Sequence, residues 1–243
     1  MPEQEPFDVY VVSLSSSVAR RAEFTARANN CGVRWTFFDA LREPCEGMIY
    51  RPATARKIHG RVLLPQELGC YASNFNLWKM VVAGNRGGVV PEDDVIPDWT
   101  FLQEFLAIAN RAAPSYLRLY SSYPAPFIRR GMLCGRHILE YLRHPFRTVA
   151  HYIDPRAAKR FLEHLAEVVR PVDDAMDRAW EHGVRNFRLF PCPVLERYGK
   201  STIGDRRAPD QWSLRFQLAR LPRRLAAIAY KELYFLGRRL STK

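Results

Sequence analysis

The sequence lacks any long uninterrupted run of apolar residues. None approaches the roughly 18 to 20 residues that a membrane-spanning helix requires. Its first residues, 1–8, carry Glu3, Glu5 and Asp8 in place of a basic start followed by an apolar stretch, so they do not have the pattern of a secretory signal. These absences predict a protein that is made and kept in the cytoplasm.

Cysteine is scarce and scattered. The five cysteines are an odd number and no two of them form a Cys-x-x-Cys pair, so the usual pattern of a zinc or redox site is missing. We expect all five to be reduced and mostly buried. The sequence also lacks internal repeats and low-complexity segments. A chain of 243 residues, 47% of them apolar, is long enough for one α/β domain with a tail.

Charge of one sign dominates, with a formal net charge of +12. Such a balance indicates a polyanionic partner, which can be nucleic acid, a phosphorylated small molecule or acidic lipid headgroups. The position of the charge separates these partners. Residues 213–243 contain eight basic residues and Glu232 as the single acid, so about +7 of the charge belongs to the tail. The body before it is only moderately basic.

The tail has the pattern of a basic amphipathic helix. We divide the chain into a catalytic domain at 1–210 and this helix at 211–243. Its apolar residues recur at three- and four-residue spacing: Leu225, Ala229, Leu233, Leu236 and Leu240. Such a helix can lie among headgroups, which predicts peripheral attachment to the anionic inner face of the cell membrane. The alternative is a helix that packs on the catalytic domain and exposes its charges to water.

The body alternates strand and helix patterns. Residues 8–14 have a β-branched and aromatic strand pattern, Ser17 ends a serine run typical of a helix N-cap, and residues 34–38 form the next strand. Strand, helix and strand in this order predict a parallel sheet. Further helices are expected at 67–82, 100–111 and 154–169, strands at 88–90 and 116–120, and irregular structure at 40–64 and 124–145.

Three acids, Glu92, Asp93 and Asp94, follow the strand at 88–90. Adjacent carboxylates raise each other's pKa unless a cation neutralises them, and oxygen ligands suit Mg²⁺ or Mn²⁺. On an extended strand end, Glu92 and Asp94 would point to one side and could bind the metal, while Asp93 points to the other. The alternative is a solvated acidic turn before Pro97.

Together with its neighbours, this triplet resembles glycosyltransferase family 25, the lipopolysaccharide-type sugar transferases. The resemblance covers most of residues 7–206 and departs from the family at Asn74, usually His, and at Pro91, usually apolar. It is carried by the order and spacing of several segments: 9–14 with Arg20 and Arg21, 37–40, 68–73, 89–95, 152–158, 171–173 and 201–205.

The resemblance implies a GT-A type nucleotide-sugar-binding α/β/α sandwich with a mostly parallel central sheet. It implies a UDP-sugar donor, commonly UDP-galactose, and displacement that inverts the anomeric centre. Glu92 and Asp94 would bind Mn²⁺ or Mg²⁺, Asp93 would orient the sugar, and Asp173 would be the general base, with Asp174 the alternative. The donor would contact seven residues: Ser13, Leu14, Arg20, Arg21, Asp39, Ala40 and Ser73.

The leading hypothesis is therefore a galactosyltransferase that extends a lipopolysaccharide or other lipid-linked oligosaccharide. One alternative keeps the chemistry but uses a glucose or N-acetylhexosamine donor. An inactive relative that acts as a binding protein is a second alternative, motivated by Asn74 and Pro91. A basic nucleic-acid-binding module is the third, and it gives no reason for the acidic triplet, so we expect no nucleic-acid partner.

Overall fold

The computed structural model describes residues 8–58, 61–121, 125–142, 147–197 and 214–240, with the backbone alone at 214–220 and 222–224. The strands are β1 (Val9–Ser13), β2 (Trp35–Asp39), β3 (Ile49–Tyr50), β4 (Gly88–Pro91), β5 (Val95–Pro97), β6 (Tyr116–Arg118), β7 (Phe127–Leu133), β8 (Arg136–Tyr141), β9 (Ala150–Ile153), β10 (Glu167–Val168), β11 (Phe187–Phe190) and β12 (Val194–Glu196). The helices are α1 (Val18–Arg27), α2 (Pro52–Ile58), α3 (Pro65–Ala83), α4 (Trp99–Ala112), α5 (Pro155–His164), α6 (Val172–Met176), α7 (Ala179–His182) and α8 (Leu214–Leu240).

The central sheet has eight strands in the order β2-β1-β4-β9-β6-β11-β8-β7. Three neighbouring pairs, β2–β1, β1–β4 and β6–β11, are parallel, and the other four are antiparallel. The prediction of a mostly parallel sheet is therefore wrong, and the sheet is mixed. The sequence pattern missed β9, which lies antiparallel between β4 and β6, and the β7–β8 hairpin at the edge.

Helices cover both faces of this sheet. Side chains alternate along each buried strand, so each strand places apolar side chains on both faces. Val9 and Val11 of β1 face a core formed with α1 and α4, while Tyr10 faces a second core formed with α3 and α5. Trp78 and Phe161 join α3 to α5 in that second core, with ring centroids 5.0 Å apart. The α/β fold class expected from the sequence is confirmed, with helices on both faces of one central sheet.

Two segments expected to be irregular are ordered. Within 40–64 the chain forms β3, which pairs with β10, and the short helix α2. Within 124–145 it forms the β7–β8 hairpin, whose turn has Cys134 and Gly135 both at positive φ. Such a turn matches the twist of the paired strands. Because Cys-Gly is not one of the usual turn pairs, these two residues did not indicate a hairpin.

The remaining expectations vary in outcome. Asp154 caps α5 by accepting a hydrogen bond from the Ala157 amide at 2.9 Å, but the helix ends at His164, before residue 169. All five cysteines are free and half-buried, so the expected burial is incomplete. Among the residues that the structure describes, no helix combines the length and the apolar character needed to cross a bilayer.

The C-terminal helix α8 starts at Leu214 and contacts α7 and α2. Phe235 is 4% exposed and lies edge-on to Trp180, with ring centroids 5.8 Å apart. The tail therefore packs on the domain through Phe235. The predicted domain boundary at 210 and 211 and the motif at 201–205 both lie outside the described residues.

One carboxylate fastens the end of α8 to the sheet. The buried Glu140 of β8 accepts hydrogen bonds from Arg238 of α8 at 3.1 Å, and from Arg130 and Arg185. Burial by itself would raise the pKa of this carboxyl. The hydrogen bonds from Arg185, Arg238 and Arg130 outweigh burial and lower the pKa of Glu140 to about 2.

This depressed pKa predicts an acid-sensitive stability. The Glu140 carboxylate stabilises the fold above the pKa of an unfolded glutamate, and the contribution is lost as pH falls through the folded-state pKa of about 2. At neutral pH we expect Glu140→Gln to lower the free energy of unfolding by about 2–3 kcal/mol, measured by urea denaturation. At a pH of about 3 the difference should fall to less than half of that value.

A matched control is Glu163→Gln, because Glu163 is half-exposed and pairs with Arg160 at 3.4 Å. Exposed pairs contribute little, so this variant should differ from the wild type by less than about 0.5 kcal/mol at either pH. An equal loss at both pH values for Glu140→Gln would show that its carboxylate charge does not stabilise the fold.

Candidate functional site

The expected donor residues converge where β1 and β2 end. The Ser13 carbonyl accepts a hydrogen bond from the Ala40 amide at 2.9 Å and another from Arg21 Nη2 at 2.8 Å. Arg21 also pairs with Asp39 at 2.5 Å. The Ser13 hydroxyl lies 3.3 Å from the carbonyl oxygen of Leu14. Six of the seven expected donor residues therefore lie around the carboxyl ends of β1 and β2. Arg20, which is described below, is one of the six.

Ser73 does not join this group. Its side chain is fully buried, and its hydroxyl donates to the Gly69 carbonyl at 2.8 Å and accepts from the Leu41 amide at 2.9 Å. Gly69 permits this contact, because a Cβ there would overlap the carbonyl oxygen of Leu41. The 68–73 motif thus holds α3 against the loop after β2, and Ser73 fixes that loop without reaching the surface.

The acidic triplet lies in a turn between β4 and β5. Glu92 continues alongside β1 through a bridge to Val12, and Asp93 and Asp94 form the turn. One nitrogen of Arg20 lies 3.0 Å from Asp93 and 3.3 Å from Asp94. The alternation expected for an extended strand end is therefore wrong at this point, because Asp93 and Asp94 face the same cation.

Asp93 connects the acidic triplet to the end of β1. Its Oδ2 atom accepts a hydrogen bond from the Ser13 hydroxyl at 2.6 Å, and its side chain is almost completely buried. The hydroxyl of Ser13 in turn accepts from Arg21 Nε at 3.2 Å. The expected donor residues Ser13, Arg20 and Arg21 are therefore joined to Asp93 of the acidic triplet in one hydrogen-bonded unit.

The electrostatics of the triplet fit a cation. Burial and the charges of Asp94 and Asp93 raise the pKa of Glu92 to about 7. Burial also raises the pKa of Asp94, although Arg20 opposes this effect. No group within the described residues donates a hydrogen bond to the buried Oδ1 atom of Asp94. A cation at this oxygen would supply the missing contact and relieve the repulsion.

Within the described residues, the acidic triplet does not form a complete metal site by itself. In the part of the chain that the structure describes, no three His, Cys, Asp or Glu side chains form a ready-made metal cage. Mg²⁺ commonly takes one or two protein carboxylates and completes its shell with water and substrate phosphates. The triplet is compatible with that kind of site, which the substrate completes.

A second charged cluster adjoins the triplet and was not predicted. Arg147 binds Glu196 with both terminal nitrogens, at 2.6 and 2.8 Å, and the Tyr120 hydroxyl donates to Glu196 at 2.6 Å. Strand β12 brings Glu196 there by pairing with β5, directly after the acidic turn. The charge of Glu196 raises the pKa of Glu92, and the charge of Arg147 lowers it. No spacing in the sequence indicated this cluster, because its members come from distant segments.

The two candidate bases have different surroundings. Asp173 Oδ2 lies 3.4 Å from the Arg147 amide, and its Oδ1 accepts from the Asp174 amide at 2.9 Å. Asp174 lies 3.6 Å from Arg170 and 3.7 Å from Arg178 within its own helical segment. Neither acid is the N-cap of α6, which is Pro171. Asp173 therefore faces the site cluster, whereas Asp174 is engaged in local ion pairs.

These features define a mixed α/β sandwich with an acidic turn and several arginines at the end of β1 and β4. Among families of known proteins, the model for glycosyltransferase family 25, described as an LPS biosynthesis protein, matches residues 7–176, well over half of the chain. The chain belongs to glycosyltransferase family 25. The comparison with curated proteins gave no match. The matched segment includes Asp93 and Asp173 but ends before Glu196.

The contact of Arg20 with two carboxylates yields a stability prediction. Arg20→Met leaves Asp93 and Asp94 without this cation, so we expect a loss of about 1–2 kcal/mol in metal-free buffer, measured by thermal denaturation with EDTA. Added Mn²⁺ should restore part of the loss, because a divalent cation replaces the lost charge.

The control is Lys79→Met, since Lys79 is partly exposed and its ammonium lies 3.9 Å from the carboxylate of the fully exposed Glu46. It should change stability by less than about 0.5 kcal/mol and show no response to Mn²⁺. If Arg20→Met is as stable as the wild type without metal, the repulsion between the two carboxylates is not significant.

Proposed function

We propose that this chain is an inverting glycosyltransferase of the GT-A type that moves a hexose from a UDP-sugar to a lipid-linked or lipopolysaccharide oligosaccharide. The observation that supports this most is the hydrogen-bonded unit of Ser13, Asp93 and Arg20 at the ends of β1 and β4. Ligands of open α/β sheets bind beyond the carboxyl ends of the parallel strands. Because the chain belongs to a glycosyltransferase family, we expect glycosyl transfer to take place at this end of the sheet.

The donor is proposed to lie at the carboxyl ends of β1 and β2. The nucleoside would contact the backbone around Leu14 and Ala40, while Arg20 and Arg21 face its diphosphate. As the bond between the sugar and the diphosphate breaks, negative charge grows on the leaving group. Fixed arginines then stabilise the transition state more than the bound donor. Galactose is the first sugar to test because the family resemblance points to UDP-galactose.

A divalent ion, Mn²⁺ or Mg²⁺, is proposed to bind Glu92 and Asp94. The raised pKa of Glu92 and the unbonded Oδ1 atom of Asp94 support this assignment. When bound, such an ion would neutralise diphosphate charge. Asp93 is proposed to act on the sugar side, since it is fixed by Ser13 and Arg20.

Asp173 is proposed as the general base. The acceptor hydroxyl forms a bond to the anomeric carbon, the bond from that carbon to the diphosphate oxygen breaks, and Asp173 takes the hydroxyl proton. Attack from the face opposite the leaving group inverts the anomeric centre. Arg147 supports this role for Asp173, because its amide lies 3.4 Å from Asp173 Oδ2 while its charge lowers the pKa of Glu92 in the acidic triplet.

The donor proposal is tested by UDP release with Mn²⁺ across a panel of UDP-sugars. We expect one sugar, galactose first, to give slow hydrolysis without an acceptor, and we expect EDTA to abolish it. Asp94→Asn should lower the rate by about 100-fold or more, because it removes a charge that binds the ion. If no sugar turns over and UDP with Mn²⁺ fails to raise the melting temperature, the chain is not an active transferase.

Asp173 and Asp174 provide a matched pair for the base. With an acceptor present, Asp173→Asn should lower the transfer rate by about 100- to 10,000-fold while UDP still raises the melting temperature. Asp174→Asn should keep transfer within about threefold of the wild type and lose only stability, since it weakens local ion pairs. The opposite pattern would assign the base to Asp174.

A further inference from the structure

Helix α8 leaves its predicted apolar face uncovered. We name this face the leucine stripe: Leu225, Ala229, Leu233, Leu236 and Leu240. All five side chains are exposed, and the four leucines are between 50% and 67% exposed. Their spacing places them within one arc of the helix. Large apolar side chains contiguous on one surface indicate an interaction site.

The side-chain contacts of α8 with α7 and β8 come from a different side of the helix. Phe235 is buried against Trp180, Tyr234 is half-buried beside it, and Arg238 binds Glu140. At about 100° per residue, these residues are centred roughly opposite the leucine stripe. The alternative raised by the sequence, a helix that packs on the catalytic domain, is confirmed, but the packing uses Phe235 and not the leucine stripe. Packing through Phe235 fixes the helix so that the stripe faces outward.

The sequence of helix α8 is strongly basic. Helix α8 contains seven arginines and lysines and one acid, Glu232. At its packed end, the single carboxylate of Glu140 is shared by three arginines, which leaves an excess of positive charge. The helix therefore combines exposed leucines with a net positive charge, and these two features require a partner that is apolar and anionic. Among its described cations, Arg239 is exposed, whereas Lys231 and Arg238 lie on the side that faces the domain.

We propose that the outward face of α8 binds the surface of an anionic lipid bilayer, with the leucine stripe inserted among the headgroups. A bilayer surface meets both requirements, because acyl chains receive the leucines and acidic headgroups receive the cations. A nucleic acid offers no apolar partner for the stripe. A second copy of the chain would bring two basic helices together, which like-charge repulsion opposes.

The dimensions agree with attachment along the surface. From Leu225 to Leu240 the stripe is about 22 Å long at 1.5 Å per residue. In the described part of the chain no helix is apolar enough to span a bilayer, so α8 would lie in the headgroup plane. This inference concerns location and stands whether or not the proposed activity is confirmed.

The test is cosedimentation of the full chain with lipid vesicles. The probes are phosphatidylcholine vesicles with or without about 30% phosphatidylglycerol, at about 0.1 M and about 1 M salt. We expect binding to the anionic vesicles that weakens at high salt. Combining Leu233→Gln, Leu236→Gln and Leu240→Gln should weaken it at least tenfold. All three side chains are exposed, so the fold should be retained, which circular dichroism checks.

The matched control is Tyr230→Gln, which removes an exposed apolar side chain of α8 outside the stripe and should bind like the wild type. Equal binding by the triple variant and the wild type overturns the proposal, because charge alone would then suffice. A wild-type dimer that the triple variant dissociates, with no vesicle binding by either, overturns it in favour of a second copy. Unchanged donor hydrolysis by the triple variant without vesicles separates this result from any failure of the proposed activity.

Discussion

The structure depends on one buried charge, the guanidinium of Arg118 at the end of β6. A charge removed from water must be paired and fully hydrogen-bonded, since an uncompensated one costs several kcal/mol. Arg118 pairs with the equally buried Asp177 and donates to the carbonyl oxygen of Arg147. These contacts join three segments that no sheet hydrogen bonds connect: the centre of the sheet, the segment after α6 and the loop before β9. The candidate base Asp173 lies in α6, the helix whose C-cap is Asp177.

The same charge sets the conditions at the site. Arg147 has a φ of 67°, a left-handed conformation that costs energy in a residue with a side chain, and the hydrogen bond from Arg118 to its carbonyl offsets this cost. In this conformation its amide reaches Asp173 while its side chain reaches Glu196. Burial and the nearby Arg118 lower the pKa of His151 to about 3, so this histidine remains neutral. The positive charge nearest the candidate base therefore belongs to arginines, which do not titrate.

Local patterns explain why part of this was predictable. The first strand, the cap at Asp154 and the acidic triplet are each formed by adjacent residues, and each followed from spacing or a short motif. The residues at the ends of β1 and β2 were expected only through the family resemblance. Strand β9 has only four residues and is buried throughout, so no alternation marked it. The turn at Asp93 and Asp94 was expected only as the alternative to an extended strand end, because the return into β5 depends on pairing with β12, far along the chain. For the same reason the Arg147–Glu196 cluster had no sequence signal.

The tail shows how an amphipathic pattern can be correct and still give an incomplete picture. Its leucine spacing predicted a helix with one apolar face, and that face exists, but the domain is contacted by Phe235, which lies off the stripe. Phe235 packs on the buried Trp180 and Arg238 bonds the buried Glu140, and these contacts attach the helix to the domain together with its contact to α2. Packing and exposure are therefore not alternatives for α8. The contact with the domain determines which face remains outside, and this face is the apolar one in a helix rich in cations.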